Sequence, residues 1–121
     1  MTTLGAILRA VKPGAVEIEI PFRADLTQQN GFLHAGAITS VLDSACGYAA
    51  MTLAPEDANV LSVEFKVNLL SPALGEKFVA RAEVKRAGKK ITVCAADAFA
   101  VSKGEDKLIA TMLATIITVN P

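Results

Sequence analysis

The sequence predicts an α+β chain in which an antiparallel sheet wraps around one long helix. Three observations predict it. Only residues 35–51 carry apolar side chains at helical spacing over a full helix length, and five other stretches read as strands, three of them alternating apolar and polar residues at a period of two. The third is the core material: the 121 residues are 52% hydrophobic but only 5% aromatic, with no Trp, so the core must be filled by Ala, Val, Ile and Leu. A chain of this length reads as one domain, residues 1–121.

No element is assigned before Ala15. The apolar stretch Leu4 to Leu8 is too short for a secretory leader or a membrane span, so a cytoplasmic location is expected. From Ala15 to Phe22, Val16, Ile18 and Ile20 alternate with Glu17 and Glu19, the pattern of a half-exposed strand. A polar connection from Arg23 to Leu33 follows, with a turn signal at Asn30-Gly31.

The helix comes next. Ile38, Val41, Leu42, Ala45 and Ala49 form its apolar face. Gly36, Ser40, Asp43, Gly47 and Ala50 fall within a narrow arc on the other side, a stripe of small residues with one carboxylate in its middle.

Beyond Pro55 the period changes. Leu61, Val63, Phe65, Val67 and Leu69 alternate with Ser62, Glu64, Lys66 and Asn68. Pro72 and Gly75 mark a turn, residues 77–84 form a strand, and Arg86 to Lys90 read as a hairpin loop. Residues 91–101 and 108–119 are two more strands, joined by a turn over 103–107. All four strands after the helix are expected to be linked as hairpins. The last two are nearly free of charge on both faces, Asp97 excepted, and such strands are covered on both faces. One helix covers one face, so a homo-oligomer, dimer or tetramer, is expected to cover the rest.

Twelve basic and twelve acidic residues give zero formal net charge, which argues against a nucleic-acid or anionic-membrane partner. Cys46 and Cys94 have no metal-ligand or redox spacing and fit a reducing compartment. No metal cluster or Gly-rich phosphate loop is present in the sequence.

The segment from Gln28 to Gly36, followed by Asp43, together with Ser62-Val63-Glu64 and Leu70-Ser71-Pro72-Ala73, resembles the hotdog-fold thioesterases of the phenylacetate-pathway (PaaI-like) group. The resemblance runs from about Val16 to the C-terminus. In that family a His-Gly-Gly turn opens the central helix, and an acid nine residues after the His is the catalytic carboxylate; His34 and Asp43 match, with Ala35 standing where the first Gly is usual. The resemblance implies an acyl-CoA thioesterase without metal or redox cofactor, hydrolysing an acyl or aryl thioester to the acid and CoA. It also implies that Gln28 positions the water or the substrate carbonyl, and that Ser62 lies near the acid. A non-catalytic acyl-CoA-binding module and a hotdog dehydratase stand as alternatives.

Physical chemistry assigns the remaining roles. The first amides of a helix lack intrahelical partners and sit at its positive end, so the N–H groups of Ala35 and Gly36 are candidate oxyanion donors. A poorly solvated carboxylate at Asp43 is competent as base or nucleophile. Cys46 reads as a packed core thiol. Lys85, Arg86, Lys89 and Lys90 cluster around one hairpin and are candidates for gripping the phosphates of coenzyme A. Ala35 and Asp43 lie about 12 Å apart along a helix axis, too far to act on one carbonyl. The expectation is therefore a composite site, with His34, Ala35 and Gln28 from one chain and Asp43 and Ser62 from another.

Overall fold

The computed structural model describes residues 5–23, 25, 27 and 32–119. Its elements are β1 (Ile7–Lys12), β2 (Ala15–Pro21), α1 (Ala35–Met51), β3 (Asn59–Leu69), β4 (Lys77–Ala87), β5 (Ile91–Ser102) and β6 (Glu105–Val119). The six strands form one sheet in the order β1-β2-β4-β5-β6-β3, every neighbouring pair antiparallel. The helix packs across this sheet, touching β2, β3, β4, β5 and β6. This is the expected architecture, with the helix at the expected residues.

Alanine is what lets the helix sit close. Ala37, Ala45, Ala49 and Ala50 of α1 face Ala80, Ala82, Ala96, Ala98 and Ala114 of the sheet, all buried in one core. Val16, Ile18, Ile20, Leu42, Phe78, Met112 and Ile116 fill the space between. Ala50 belongs to this core at 3% exposure, so it does not continue the small-residue stripe to which its spacing assigned it.

Four sequence expectations need correction. β1 was not foreseen. Its register shifts between Leu8 and Ala10, and a bulge inserts one residue, so the apolar positions Ile7, Leu8, Ala10 and Val11 lose the period of two that identifies a strand. β3 and β4 are not a hairpin: among the described residues β3 pairs only with β6, at the far edge. Residues 70–76 cross the end of the sheet instead, tied by Leu70 N–H and Ser71 N–H to Ile109 O and by Glu76 N–H to Val101 O. Pro72 and Gly75 mark where a strand stops, not which strand it joins.

The β5–β6 turn is tighter than residues 103–107. Lys103 and Gly104 both have positive φ, 50° and 77°, the signature of a two-residue hairpin, and Glu105, Asp106 and Lys107 are already paired in β6. Likewise Arg86 and Ala87 pair within β4, leaving 88–90 as the turn. In both places polar residues lie in strand ends that outrun the core.

The phase of β3 is the fourth correction. Strict alternation put Leu61 with Phe65 and Ser62 with the polar face. The register instead shifts between Ser62 and Glu64, with Val63 as the extra residue. Ser62 now pairs with the fully buried Ile116, while Leu61 pairs with Ile117 on the opposite face. The bulge thus turns Ser62 towards the helix.

Candidate active site

The site residues are set by two ends of structure: the helix N-terminus and the middle of the helix where β3 passes it. His34 caps the helix in extended conformation (φ −62°, ψ 138°), and its carbonyl accepts from Ala37 N–H and Ile38 N–H at 3.0 and 3.3 Å. Its side chain also caps: Gly36 N–H donates to Nδ1 at 3.0 Å. Ala35 opens the helix without strain, since Lys103 is the one non-glycine with positive φ among the described residues. Replacing the usual glycine there costs nothing in backbone conformation. Gly36 also has no positive φ; its requirement is space, as a Cβ would lie 3.2 Å from His34 Nδ1.

The loop before the cap is held by Leu33 N–H donating to Ala73 O at 2.8 Å. Gln28 lies outside the described residues. An apolar hollow of about 390 Å³ opens beside Ala35, walled by Leu33, Ile38, Leu69, Leu70, Pro72 and Ile109. No acidic residue occupies the first turn of α1, so the helix itself places no carboxylate at its positive end.

Two turns further on, Asp43 is half-buried and accepts a 2.7 Å hydrogen bond at Oδ1 from the Ser62 hydroxyl. This contact joins residues 19 apart in sequence and depends on the β3 bulge. A hollow of about 260 Å³ opens in front of the carboxylate, lined by Ser44, Gly47, Tyr48, Met51, Val60 and Ser62. Tyr48, Met51 and Val60 were not singled out from sequence: none lies on the small-residue arc, and Val60 reaches the helix only through the same change of strand phase. Gly47 leaves open space: apart from its chain neighbours and the helix's own backbone, no atom of the described residues lies within 4 Å of where a Cβ would stand.

Cys46, three residues after Asp43, is fully buried, and burial first, then the neighbouring Cys94 and Asp43, push its thiol up to about 12. It stays protonated at neutral pH and has no nucleophilic role. The structure therefore brings Ser62 to Asp43 and His34 to Gly36. It leaves these two groups apart along the helix, about 12 Å from Ala35 to Asp43 at the helical rise.

Lys85 and Arg86 lie exposed at the end of β4, with Lys89 and Lys90 in the turn beyond. Lys85 Nζ meets Glu83 at 2.6 Å. The turn sits at the C-terminal end of the helix: Thr118 N–H bonds Lys90 O, and Val84 N–H bonds Gly14 O, whose own amide donates to Thr52 Oγ1 just past the helix. Another hollow of about 390 Å³ lies on the outer face of the sheet; of the charged residues that line it, Arg81 pairs with Glu17 and Lys85 with Glu83, and Asp97 accepts from the Thr111 hydroxyl. Among the described residues no group of three His, Cys, Asp or Glu side chains is placed to hold a metal ion.

This fold is that of a known class. A family model described as the thioesterase superfamily matches residues 30–107, and the chain belongs to that family. The particular relatives agree. A crystal structure of a thioesterase family protein from Silicibacter pomeroyi is 54% identical, covers 100% of this chain and 89% of that one, and superposes with a TM-score of 0.98. The E. coli PaaI protein from the phenylacetic acid degradation operon, at 18% identity, covers 98% of this chain and 83% of that one with a TM-score of 0.88, a likeness of fold. A Saccharolobus solfataricus protein named as an esterase is 33% identical over 69% of this chain, which spans 59% of that protein's length.

Proposed function

We propose that this protein hydrolyses acyl or aryl thioesters of coenzyme A, with Asp43 as general base or nucleophile. The observation that carries the reading is the Asp43–Ser62 pair at 2.7 Å, facing an open hollow on the central helix of a thioesterase-superfamily chain. The Ser62 hydroxyl donates to one carboxylate oxygen and leaves the other for a water or for direct attack on the thioester carbon. The Ala35 amide polarises the carbonyl, and the apolar hollow beside it supports an uncharged acyl or aryl group.

The separation of Ala35 and Asp43 supports a site shared by two copies, with His34, Ala35 and Gln28 from one and Asp43 and Ser62 from the other. The β3 edge supports the same assembly. It is eleven residues long, lies at the margin of the sheet and carries exposed Val63, Phe65 and Leu69. An apolar edge of that length is a template for pairing. Two copies joined there run their helices antiparallel beside each other, which the open space at Gly47 admits. One chain's basic hairpin, at its helix C-terminus, then stands near the other's Ala35, where Lys85, Arg86, Lys89 and Lys90 serve the CoA phosphates. Leu61, Ile91 and Leu113, exposed on the outer face, support a further pairing into a tetramer. Two free, buried cysteines support a reducing, cytoplasmic setting.

The test is a panel of acyl- and aryl-CoA esters with a thiol-trapping reagent. Release of CoA at a rate abolished in Asp43→Asn is expected. Saturable binding of the esters without thiol release would replace this reading with that of a binding module. Light scattering on the same sample should show a dimer or tetramer, and a monodisperse monomer would remove the shared site.

A further inference from the structure

His34 has two ring nitrogens, and the structure commits one of them. Gly36 N–H points at Nδ1 from 3.0 Å, and a backbone amide can only donate. A neutral imidazole that accepts at one nitrogen carries its proton on the other. We propose that His34 acts as the neutral Nε2–H tautomer, a hydrogen-bond donor to the substrate carbonyl and a positioning cap for the helix, with no nitrogen free to serve as a base. The donor role rests on the thioesterase reading; the tautomer does not.

The surroundings are built for this tautomer. The ring closes over the first turn because residue 36 is glycine: a Cβ there would stand 3.2 Å from Nδ1 and 3.7 Å from Cε1. The Ser40 hydroxyl donates to Gly36 O at 2.8 Å and fixes the peptide on the other side of that glycine. His34 is exposed, so Nε2 is accessible from outside the chain. Two consequences follow. The Gly36 amide, a sequence candidate for the oxyanion hole, is already occupied, and its place is taken by Nε2–H. The donor pair is then Ala35 N–H, which the helix itself cannot satisfy, and His34 Nε2–H. Asp43 remains as the base.

His34 is the chain's one histidine, so nitrogen–proton correlation NMR of the imidazole reports this ring alone. At mildly alkaline pH the expected pattern is an acceptor-type Nδ1 and a protonated Nε2, shifting towards a tautomer mixture in Gly36→Ala, where the ring must give way. A protonated Nδ1 in the native protein would overturn the assignment. His34→Asn separates the cap from the donor. Asparagine is among the strongest N-caps, so melting temperature should stay near that of the parent. Loss of one carbonyl donor should lower kcat about 10²–10³-fold with KM little changed. Near-parental turnover in His34→Asn would show that the ring only caps. A parent protein inactive on every thioester would overturn the site reading and the donor role with it, while the ring spectrum still decides the tautomer.

Discussion

Asp43 and Cys46 stand three residues apart on one helix, and both are candidate nucleophiles by residue type. Their surroundings separate them. Cys46 faces the sheet, fully buried, and burial holds its thiol protonated at neutral pH. Asp43 faces the β3 edge, half-buried, with a hydroxyl on one oxygen and open space in front. The difference shows that the helix has a sealed face that builds the fold and an unsealed face that is available for chemistry. At about 100° per residue, three positions are enough to cross from one to the other.

The comparison breaks most forcefully by exchanging the environments. Cys46→Asp places a carboxylate on the sealed face without a partner, and burial of such a group costs several kcal/mol, on the order of the whole stability of a small domain. Loss of a cooperative thermal transition is expected. A folded variant with a near-parental melting temperature would mean the inner face is not sealed. Asp43→Asn tests the other face. The side chain keeps its size and can still accept from Ser62, so melting temperature should hold while turnover falls at least about 10²–10⁴-fold. A folded and active variant would remove Asp43 from the mechanism.

Ser62→Ala sharpens the comparison further. A hydrogen bond to a charged group contributes about 1.5–3 kcal/mol, and a loss near the lower figure is about tenfold in kcat. An unchanged rate would make the 2.7 Å contact incidental. The smallest effect concerns the thiol. Cys46 is raised from 9.0 to about 12, so above pH 9 the unfolded chain gives up a proton that the folded chain keeps, and stability falls as pH rises towards 12. The parent's melting temperature should therefore fall more steeply over that range than that of Cys46→Ala. Parallel slopes would mean that the Cys46 thiol is not desolvated.

The helix was legible because its apolar spacing is uninterrupted from Ile38 to Ala49, and His34 and Asp43 were legible because they mark its start and its exposed arc. What the sequence concealed lies at bulges and crossovers. β1 hides behind the register shift at Leu8/Ala10, and the true face of Ser62 hides behind the extra Val63, which makes strict alternation give the wrong side. The partner of β3 is a long-range choice that no local turn signal encodes. Tyr48, Met51 and Val60 became visible as lining only when the hollow before Asp43 existed. The occupied Gly36 amide was equally hidden, because an imidazole cap depends on a side-chain rotamer and not on spacing.

The claim that most needs testing is that one working site takes residues from two chains. Asp43→Ala and His34→Asn should each be nearly inactive alone. Co-refolded in equal amounts, half of the dimers pair one of each, and each such dimer carries one site with both His34 and Asp43 intact. Thiol release from an acyl-CoA ester should therefore recover to about a quarter of the parental rate under random pairing. No recovery, with subunit mixing demonstrated by differently tagged chains, would mean that the site is built within a single chain.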